Sequence, residues 1–353
     1  LRLTQDGTLD TSFGTGGRVT TDLAGAADCA RAVTVDAKGR ILIAGTSERG
    51  GRQDFLVARY LPSGELDKSF GEQGHASVGF GSEDSTAYAL TLQKDGKILL
   101  VGDANVDAKQ GLDFALARFD ADGHLDESFG DGGKLTQSVV AGNGRDSAYA
   151  VTLQDVDGEQ RIVLAGGEGD FVVARFNPDG SLDASFGKQG TLTGLMGSSI
   201  GAAKAVQVDA DGNIVVAGHH TNDFALLRLD PNGALDQSFG TKGKLVTPVN
   251  PNNWDGAEAV AIDPDGSIVV AGWAYDVGSS ANTALLRYTP SGVLDSSFGE
   301  GGIALTQVAA GTKSDQGSAL LLQTDGRVPT TRILVAGYAS TSAYDFAVTR
   351  FWR

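Results

Sequence analysis

The chain has 353 residues, of which 41% are hydrophobic and 20% charged, and it carries a formal net charge of −16 at pH 7. This charge argues against a nucleic-acid partner, because phosphates attract a basic surface, and against adhesion to anionic membranes. The single cysteine, Cys29, excludes an intrachain disulfide, and no apolar run reaches the length of a membrane span.

One six-residue pattern, Leu-Asp-x-Ser-Phe-Gly, divides the chain into units. A pattern that returns at intervals of about 57 residues predicts one structural unit stacked on copies of itself. The six copies occupy residues 9–14, 66–71, 125–130, 182–187, 235–240 and 294–299.

Each unit contains short segments whose composition is typical of β-strands. In the first unit, apolar segments at 32–35, 40–44 and 55–60 are joined by a Gly turn at 37–39 and a polar loop. A Pro-Ser-Gly turn then leads into 66–70. No stretch shows a 3.6-residue apolar period over the length of a helix. The sequence therefore predicts an all-β chain with four antiparallel strands per unit, the repeated motif being the fourth strand.

Four strands in each of six units predict a six-bladed β-propeller, a single domain covering residues 1–353. The N-terminus has a fourth strand to spare at 9–13, and the chain stops at Phe351-Trp352-Arg353, where a third strand ends. We therefore expect the N-terminal strand to complete the last blade and close the ring. We also expect a monomer with no segment inserted in a membrane.

An arginine precedes the motif aspartate by eight residues in every unit, which predicts cross-strand ion pairs with a structural role. The pairs are Arg59 with Asp67, Arg118 with Asp126, Arg175 with Asp183, Arg228 with Asp236, and Arg287 with Asp295. Arg350 has no aspartate downstream, so we expect Asp10 to pair with it across the closure of the ring.

These columns resemble the delta-60 repeat, a bacterial β-propeller repeat. The resemblance is clearest over residues 91–102, the Asp-Phe-Ala-Leu-Ala-Arg segment 113–118 and the run that follows to Gly133. It covers essentially the whole chain. It implies a propeller in a secreted, periplasmic or cell-surface bacterial protein, and it carries over no catalytic residue.

No metal site is predicted. The four histidines, His75, His124, His219 and His220, show no zinc-binding spacing, and His219 and His220 would point to opposite faces of a strand. Asp-rich turns at 155–158, 209–212 and 263–266 mimic only the opening of a calcium loop. We expect no cofactor, with calcium at such turns as the alternative.

Positions that differ in kind between units are the candidates for ligand binding. One column starts the first strand of each unit, and another follows the Gly that ends the second strand. The first column holds Arg31, Tyr88, Tyr149, Lys204, Glu258 and Ser318; the second holds Thr46, Asp103, Gly167, His219, Trp273 and Tyr338. The two longest neighbouring loops, 103–112 and 273–282, and the loop 248–255 add Tyr275, Asn252, Asn253 and Trp254. In a propeller these residues would lie at one mouth of the axial channel.

Exposed aromatic rings beside polar groups suit carbohydrate or peptide recognition. We therefore expect a non-catalytic binding or adhesion module for a carbohydrate or protein ligand, with no catalytic residue assigned. The alternative is a hydrolase or lyase, with or without bound calcium, in which Arg31, Tyr88, Tyr149, Lys204 and Glu258 supply an acid, a base and a charge clamp.

Overall fold

The structure is a computed structural model. It describes residues 1–23, 25, 27–81, 83–106, 111–140, 145–197, 200–251, 253–276, 280–308, 314–323, 332–340 and 343–352. Asn252 and parts of the two long loops, 107–110 and 277–279, lie outside these residues.

The described residues form 23 β-strands. The first repeat contains β1 (Asp28–Val35), β2 (Ile41–Arg49), β3 (Arg52–Tyr60) and β4 (His75–Val78). The second contains β5 (Ser85–Leu92), β6 (Ile98–Ala104), β7 (Asp113–Phe119) and β8 (Lys134–Gln137). The third contains β9 (Ala148–Val156), β10 (Glu159–Gly166), β11 (Val172–Phe176) and β12 (Thr191–Leu192).

The later repeats follow the same order. The fourth contains β13 (Gly201–Val208), β14 (Ile214–His220), β15 (Asp223–Leu229) and β16 (Lys244–Thr247). The fifth contains β17 (Asp255–Ile262), β18 (Ile268–Tyr275), β19 (Ala281–Tyr288) and β20 (Ile303–Thr306). The last described strands are β21 (Ser314–Gln323), β22 (Arg332–Ser340) and β23 (Tyr344–Trp352).

Within each of the first five repeats the strands pair in chain order as a four-stranded antiparallel sheet. Strands β21–β23 continue the sheet of the fifth repeat through one parallel bridge between Ala281 and Ser314. The described residues contain no helix, and hence none that could span a membrane. The chain divides into two compact units: Leu1–Glu168 with Ala174–Asp183, and Gly169–Val173 with Ala184–Arg353.

Second and third strands form the interior of each sheet. Strand β6 is buried along its whole length, which explains its unbroken apolar run, since a strand covered on both faces has no polar side. The core of the first two repeats joins Leu42, Phe55, Phe70 and Leu100, so residues of successive sheets pack together.

The prediction that the repeated motif is the fourth strand is wrong. Leu66 makes a single bridge to Tyr60, and the rest of the motif is a turn. Asp67 Oδ1 accepts hydrogen bonds from the Ser69 amide and hydroxyl at 3.1 and 2.6 Å, and these local bonds replace ladder bonds. The fourth strand is the segment that follows, such as β4.

In three repeats the motif arginine joins its own repeat to the next, because Nη1 of Arg59, Arg118 and Arg228 donates to a carbonyl of the following repeat. Arg175 Nη1 donates instead to Gln154 Oε1 of its own repeat at 2.8 Å. Arg59 Nε lies 2.8 Å from Asp67 Oδ2, its Cζ lies 4.5 Å from the Phe70 ring centroid, and its Nη1 donates to the Ala121 carbonyl in the next repeat. Gly123 of that repeat lies against the Phe70 ring so closely that a Cβ would come within 2.9 Å of it. We call this set, arginine, aspartate, phenylalanine and the glycine of the following turn, the inter-repeat latch.

The other repeats show the same arginine–aspartate contact. The distances are 2.7 Å for Arg118–Asp126, 2.9 Å for Arg175–Asp183, 2.7 Å for Arg228–Asp236 and 3.5 Å for Arg287–Asp295.

Asp10 does not pair with Arg350 as expected. Asp10 Oδ2 lies 2.8 Å from Arg2 Nε, and Leu9 bridges Leu3. Arg2 is eight residues upstream of Asp10, so the local hairpin provides the same partner as in every other repeat. The segment 9–13 is therefore a turn of its own.

Replacing Arg59 by Met tests the inter-repeat latch. Both Arg59 and Asp67 are buried, so the variant leaves a carboxylate without its counter-ion, and we expect unfolding free energy to fall by about 3 kcal/mol. Chemical denaturation measures the change. Arg2→Met is the matched control, because the Arg2–Asp10 pair is more exposed to solvent than Arg59–Asp67, and its effect should be smaller. Equal losses in the two variants would contradict the interpretation.

Replacing Asn213 by Arg should stabilise the fourth repeat. At the equivalent position, Arg40 bonds Asp36 at 2.6 Å and Lys97 lies 2.9 Å from Asp126, whereas Asn213 borders an open groove of about 720 Å³ beside Arg228. The new side chain would reach both Asp209 and Asp236, and we expect a gain of about 0.5 kcal/mol. Thermal melting checks this against Asn213→Gln, and an Arg variant no more stable than Gln would contradict it.

Candidate functional site

The first variable column lies at a β-bulge in each repeat. The pairing of first and second strands shifts register at this residue, for example between Ala87 and Ala89 around Tyr88. The bulged residues are Arg31, Tyr88, Tyr149, Lys204, Glu258 and Ser318. A bulge adds one residue that is not part of the hydrogen-bonded ladder, and it redirects the side chain of that residue. The positions that differ most between repeats are therefore the bulged positions.

The Gly that lies opposite the bulge on each second strand is required by it. A Cβ on Gly102 would overlap the carbonyl oxygen of Thr86 on the first strand, and no side-chain rearrangement relieves a collision with backbone. The same close approach occurs at Gly45, Gly166, Gly218, Gly272 and Gly337.

In the first compact unit, the bulged residues of three successive repeats touch. The Arg31 guanidinium carbon lies 5.2 Å from the centroid of the Tyr88 ring, and the Tyr88 and Tyr149 ring centroids are 5.0 Å apart. Arg31 is exposed and both tyrosines are half-buried. We call these three residues and Asp103 and Ser147 beneath them the tyrosine cluster.

A buried carboxylate supports the tyrosine cluster. Asp103 is 3% exposed and accepts hydrogen bonds from the hydroxyls of Ser147 and Tyr88. Burial raises the pKa of Asp103, against the lowering effect of those hydrogen bonds. Burial and the nearby Asp103 carboxylate raise the pKa of Tyr88, so its phenol stays protonated and acts as a donor.

In the second compact unit, Glu258 lies among other polar and aromatic side chains. Its Oε1 accepts a hydrogen bond from Trp273 Nε1 at 3.1 Å. Burial raises the pKa of Glu258, while Lys204 acts electrostatically in the opposite direction. Lys204, His219, Glu258, Trp273 and Tyr338 together are named here the glutamate cluster.

His219 fits into the glutamate cluster because its neighbour on β17, Gly256, has no side chain. A Cβ on Gly256 would lie 3.0 Å from the His219 Cβ and 3.5 Å from Trp273 Cζ2. Burial, and secondarily Lys204, lower the pKa of His219, so the imidazole is neutral near neutral pH. His220 acts electrostatically on Asp223 instead, as expected for the opposite face of the strand.

Aromatic side chains flank the glutamate cluster. The Trp273 and Tyr275 rings are 5.6 Å apart in an edge-to-face arrangement, and Tyr338 is 5.0 Å from Tyr344. Tyr338 also donates to Gln316 Oε1 at 2.8 Å, and Tyr275 and Glu258 both act electrostatically on its hydroxyl. These rings and amides offer flat apolar surface with polar edges.

Other predicted residues lie outside both clusters. Trp254 is 64% exposed, and its backbone carbonyl accepts the Tyr275 amide at 2.9 Å. Ser318, the sixth bulged residue, is exposed. Among the described residues, no group of three or more His, Cys, Asp or Glu side chains is arranged to hold a metal ion.

Sequence reasoning missed Ser147 and Gln316. Both lie two residues before the bulge, where the repeats have Cys29, Thr86, Ser147, Ala202, Gly256 and Gln316. Residues two apart on a strand point to the same side. Where one of these residues pairs with a residue of the second variable column, as Gln316 does with Tyr338, the two contribute to the same surface. Variation at this position was the available signal.

Five segments of the chain match the family model described as a domain of unknown function, DUF5122, β-propeller. They are residues 39–70, 93–129, 156–186, 210–239 and 264–298. Each covers the turn before a second strand, the second and third strands and most or all of the Leu-Asp-x-Ser-Phe-Gly motif. The chain is therefore a β-propeller repeat protein. A search of curated proteins finds no match.

Solved structures that are similar to this chain include one whose TM-score of 0.50 supports the propeller fold. An α-L-arabinanase from Penicillium chrysogenum complexed with arabinobiose is 13% identical, with a TM-score of 0.50, covering 90% of this chain and 92% of that one. A polysaccharide lyase, an ulvan lyase bound to -[GlcA(1-4)Rha3S]-, is 12% identical, with a TM-score of 0.49 and coverages of 91% and 77%. A protein of unknown function from Dyadobacter fermentans is also 12% identical, with a TM-score of 0.46 and coverages of 91% and 93%.

These structures correct one expectation. The sequence favoured a non-catalytic binding or adhesion module, but several of the similar structures are polysaccharide lyases, arabinanases or an arabinofuranosidase. The expectation of a non-catalytic module is therefore contradicted, while the low identity of these structures shows a likeness of fold alone. Scaffold columns dominate the sequence, whereas Glu258 and His219 each occur at a single position of a single repeat.

Proposed function

We propose that the protein is a carbohydrate-acting enzyme, a hydrolase or lyase, whose acid and base are Glu258 and His219. The observation that carries this proposal is the pairing of a carboxyl group whose pKa is raised with an imidazole whose pKa is lowered, both under the influence of Lys204. A raised carboxyl pKa and a lowered imidazole pKa both increase the population in which Glu258 is protonated while His219 is neutral, that is, a proton donor beside a proton acceptor.

The proposed chemistry needs only these groups. Glu258 donates a proton to the oxygen of the glycosidic bond that breaks, and Trp273 Nε1 holds the carboxyl in place through its hydrogen bond. Neutral His219 accepts the proton of the attacking water in hydrolysis, or the proton next to a uronate carboxylate in elimination. Lys204 then stabilises the negative charge that develops. The proposal uses no metal ion.

The aromatic residues are assigned to substrate binding. Trp273, Tyr275 and Tyr338 supply rings against which a sugar packs, and Trp254 adds an exposed ring nearby in sequence. The proposal retains the expected carbohydrate ligand and the expected extracytoplasmic location, where complex saccharides are met. Arg31, Tyr88 and Tyr149 are assigned to ligand binding in the other compact unit.

Replacing Glu258 by Gln tests the acid. The amide keeps the size of the side chain but donates no proton, so we expect kcat on a saccharide panel to fall by about 10²- to 10⁴-fold. The panel contains arabinan, pectic, alginate and ulvan-type polysaccharides, with product followed as reducing ends and as absorbance of unsaturated uronates. Glu300→Gln, an exposed site in the same unit, is the control.

The pH dependence gives a second readout of the same proposal. Glu258 must be protonated, so wild-type activity should fall as pH rises through its raised pKa. His219 must be neutral, so activity should also fall as pH drops through its lowered pKa. The alkaline limb should be absent from the residual activity of Glu258→Gln. Unchanged kcat in that variant, or no turnover of any panel member by the wild type, would refute the proposal.

We further infer that the six units are delta-60 repeats forming a closed, six-bladed ring. Residues 18–21 take the place of a fourth strand: Thr21 Oγ1 lies 2.9 Å from the Tyr60 hydroxyl, as Thr247 of β16 lies 2.9 Å from that of Tyr288. Strand β23 lacks such a partner among its described pairings, and Phe346 is 59% exposed where the equivalent Phe55 is fully buried. These facts support closure by 18–21 rather than by 9–13.

A disulfide between Thr20→Cys and Ala347→Cys tests this closure. By the repeat register, in which Leu56 pairs with Ser77, Thr20 would face Ala347 at a Cα separation of about 5 Å, within disulfide range. In a Cys29→Ser background we expect rapid oxidation and a faster band on non-reducing gels. Thr20→Cys with Trp352→Cys is the mismatched control. A rate no higher than the control would contradict closure.

A further inference from the structure

We propose that Arg31, held on the ring of Tyr88, binds an anionic group of the saccharide, a carboxylate or a sulfate. The nature of the ligand rests on the proposed function, but the anion site rests on the tyrosine cluster alone. It would make this cluster a binding site for acidic saccharides within the first compact unit.

The guanidinium of Arg31 differs from most others in the chain. Within the part of the chain that the structure describes, carboxylates lie within 4.0 Å of ten arginines: Arg2, Arg40, Arg52, Arg59, Arg118, Arg145, Arg161, Arg175, Arg228 and Arg287. No described carboxylate or hydrogen-bond acceptor contacts Arg31; its only recorded contact is the Tyr88 ring. All five guanidinium N–H groups therefore remain available to an oxyanion.

The Tyr88 ring that supports Arg31 is itself held in place by its neighbours. The Tyr88 hydroxyl bonds the buried Asp103 carboxylate, which the Ser147 hydroxyl also bonds, and the Tyr149 ring packs against Tyr88. A ring held at both its hydroxyl and its face is a rigid support for a stacked guanidinium. Binding then costs little side-chain ordering, which is the condition for selective recognition.

The charge balance around Arg31 also favours an anion. Asp103 is turned inward and its charge is engaged by two hydroxyls, while Glu168 lies 3.5 Å from Arg145 and is neutralised there. Arg31 is thus an exposed cation with no carboxylate beside it among the described residues. Its attraction for an anion is local, because the chain as a whole carries a formal net charge of −16 and repels polyanions. A planar guanidinium forms paired hydrogen bonds with carboxylate and sulfate oxygens, whereas a neutral sugar gains little from it.

Isothermal titration on the Glu258→Gln protein tests the subsite without consuming ligand. The probes are an oligogalacturonate, a sulfated carrageenan oligosaccharide and a neutral xylo-oligosaccharide of similar length. We expect one or both anionic probes to bind at least about tenfold more tightly than the neutral probe, and Arg31→Gln to remove about tenfold of that affinity. The stronger anionic probe tells carboxylate from sulfate recognition.

Two further variants separate a site from general charge. Tyr88→Phe keeps the ring but loses the bond to Asp103, and should weaken anionic binding about threefold. Arg49→Gln removes an exposed arginine elsewhere in the same unit and should change no affinity. The inference is overturned if neither anionic probe binds preferentially, if Arg31→Gln has no effect, or if Arg49→Gln has an equal one. If the protein turns over no saccharide but still binds the anionic probes preferentially, only the proposed function is refuted.

Discussion

The architecture depends on an arginine side chain that is shared between two repeats. Arg59 meets a carboxylate and an aromatic ring of its own repeat and a carbonyl of the next one, while a Gly in that next repeat makes room for the ring. A single sheet of four short strands buries too little surface to be stable alone. The inter-repeat latch supplies the connection that a larger core would otherwise provide, and it explains why Arg, Asp, Phe and Gly recur together.

The inter-repeat latch and the variable residues occupy opposite ends of each sheet. Leu42 at the start of β2 pairs with Arg59, whereas Gly45, three residues further along, pairs across the bulge with the first strand. Residues at one end therefore make contacts that cannot be changed without weakening the attachment of neighbouring repeats. At the other end, the bulge removes one side chain from the ladder, so that Arg, Tyr, Lys, Glu and Ser are all accepted by the same backbone. Stability and chemistry are thus placed on different residues of the same strands.

Much of the fold could be predicted from the sequence, because a residue that every repeat requires recurs at the same position in each one. The second strands, the arginine–aspartate spacing and the variable column at Tyr88 and Glu258 were visible as columns. The role of Leu66 to Phe70 was not, since Asp67 bonds Ser69 locally and ends the strand, an outcome that apolar alternation does not encode. Arg350 was predicted as the partner of Asp10 because ring closure was assumed, although Arg2 is nearer in the sequence. The contacts of Asp103 with Ser147 required the register of two repeats, which no single segment contains.

The bulge opposite each invariant Gly has a consequence for how such a chain diversifies. Because the second-strand Gly has no Cβ, the backbone accepts the bulge whatever residue stands there, from the exposed Arg31 and Ser318 to the half-buried Tyr88 and Glu258. Repeats built on one backbone therefore carry different chemical groups at this position, one group per repeat.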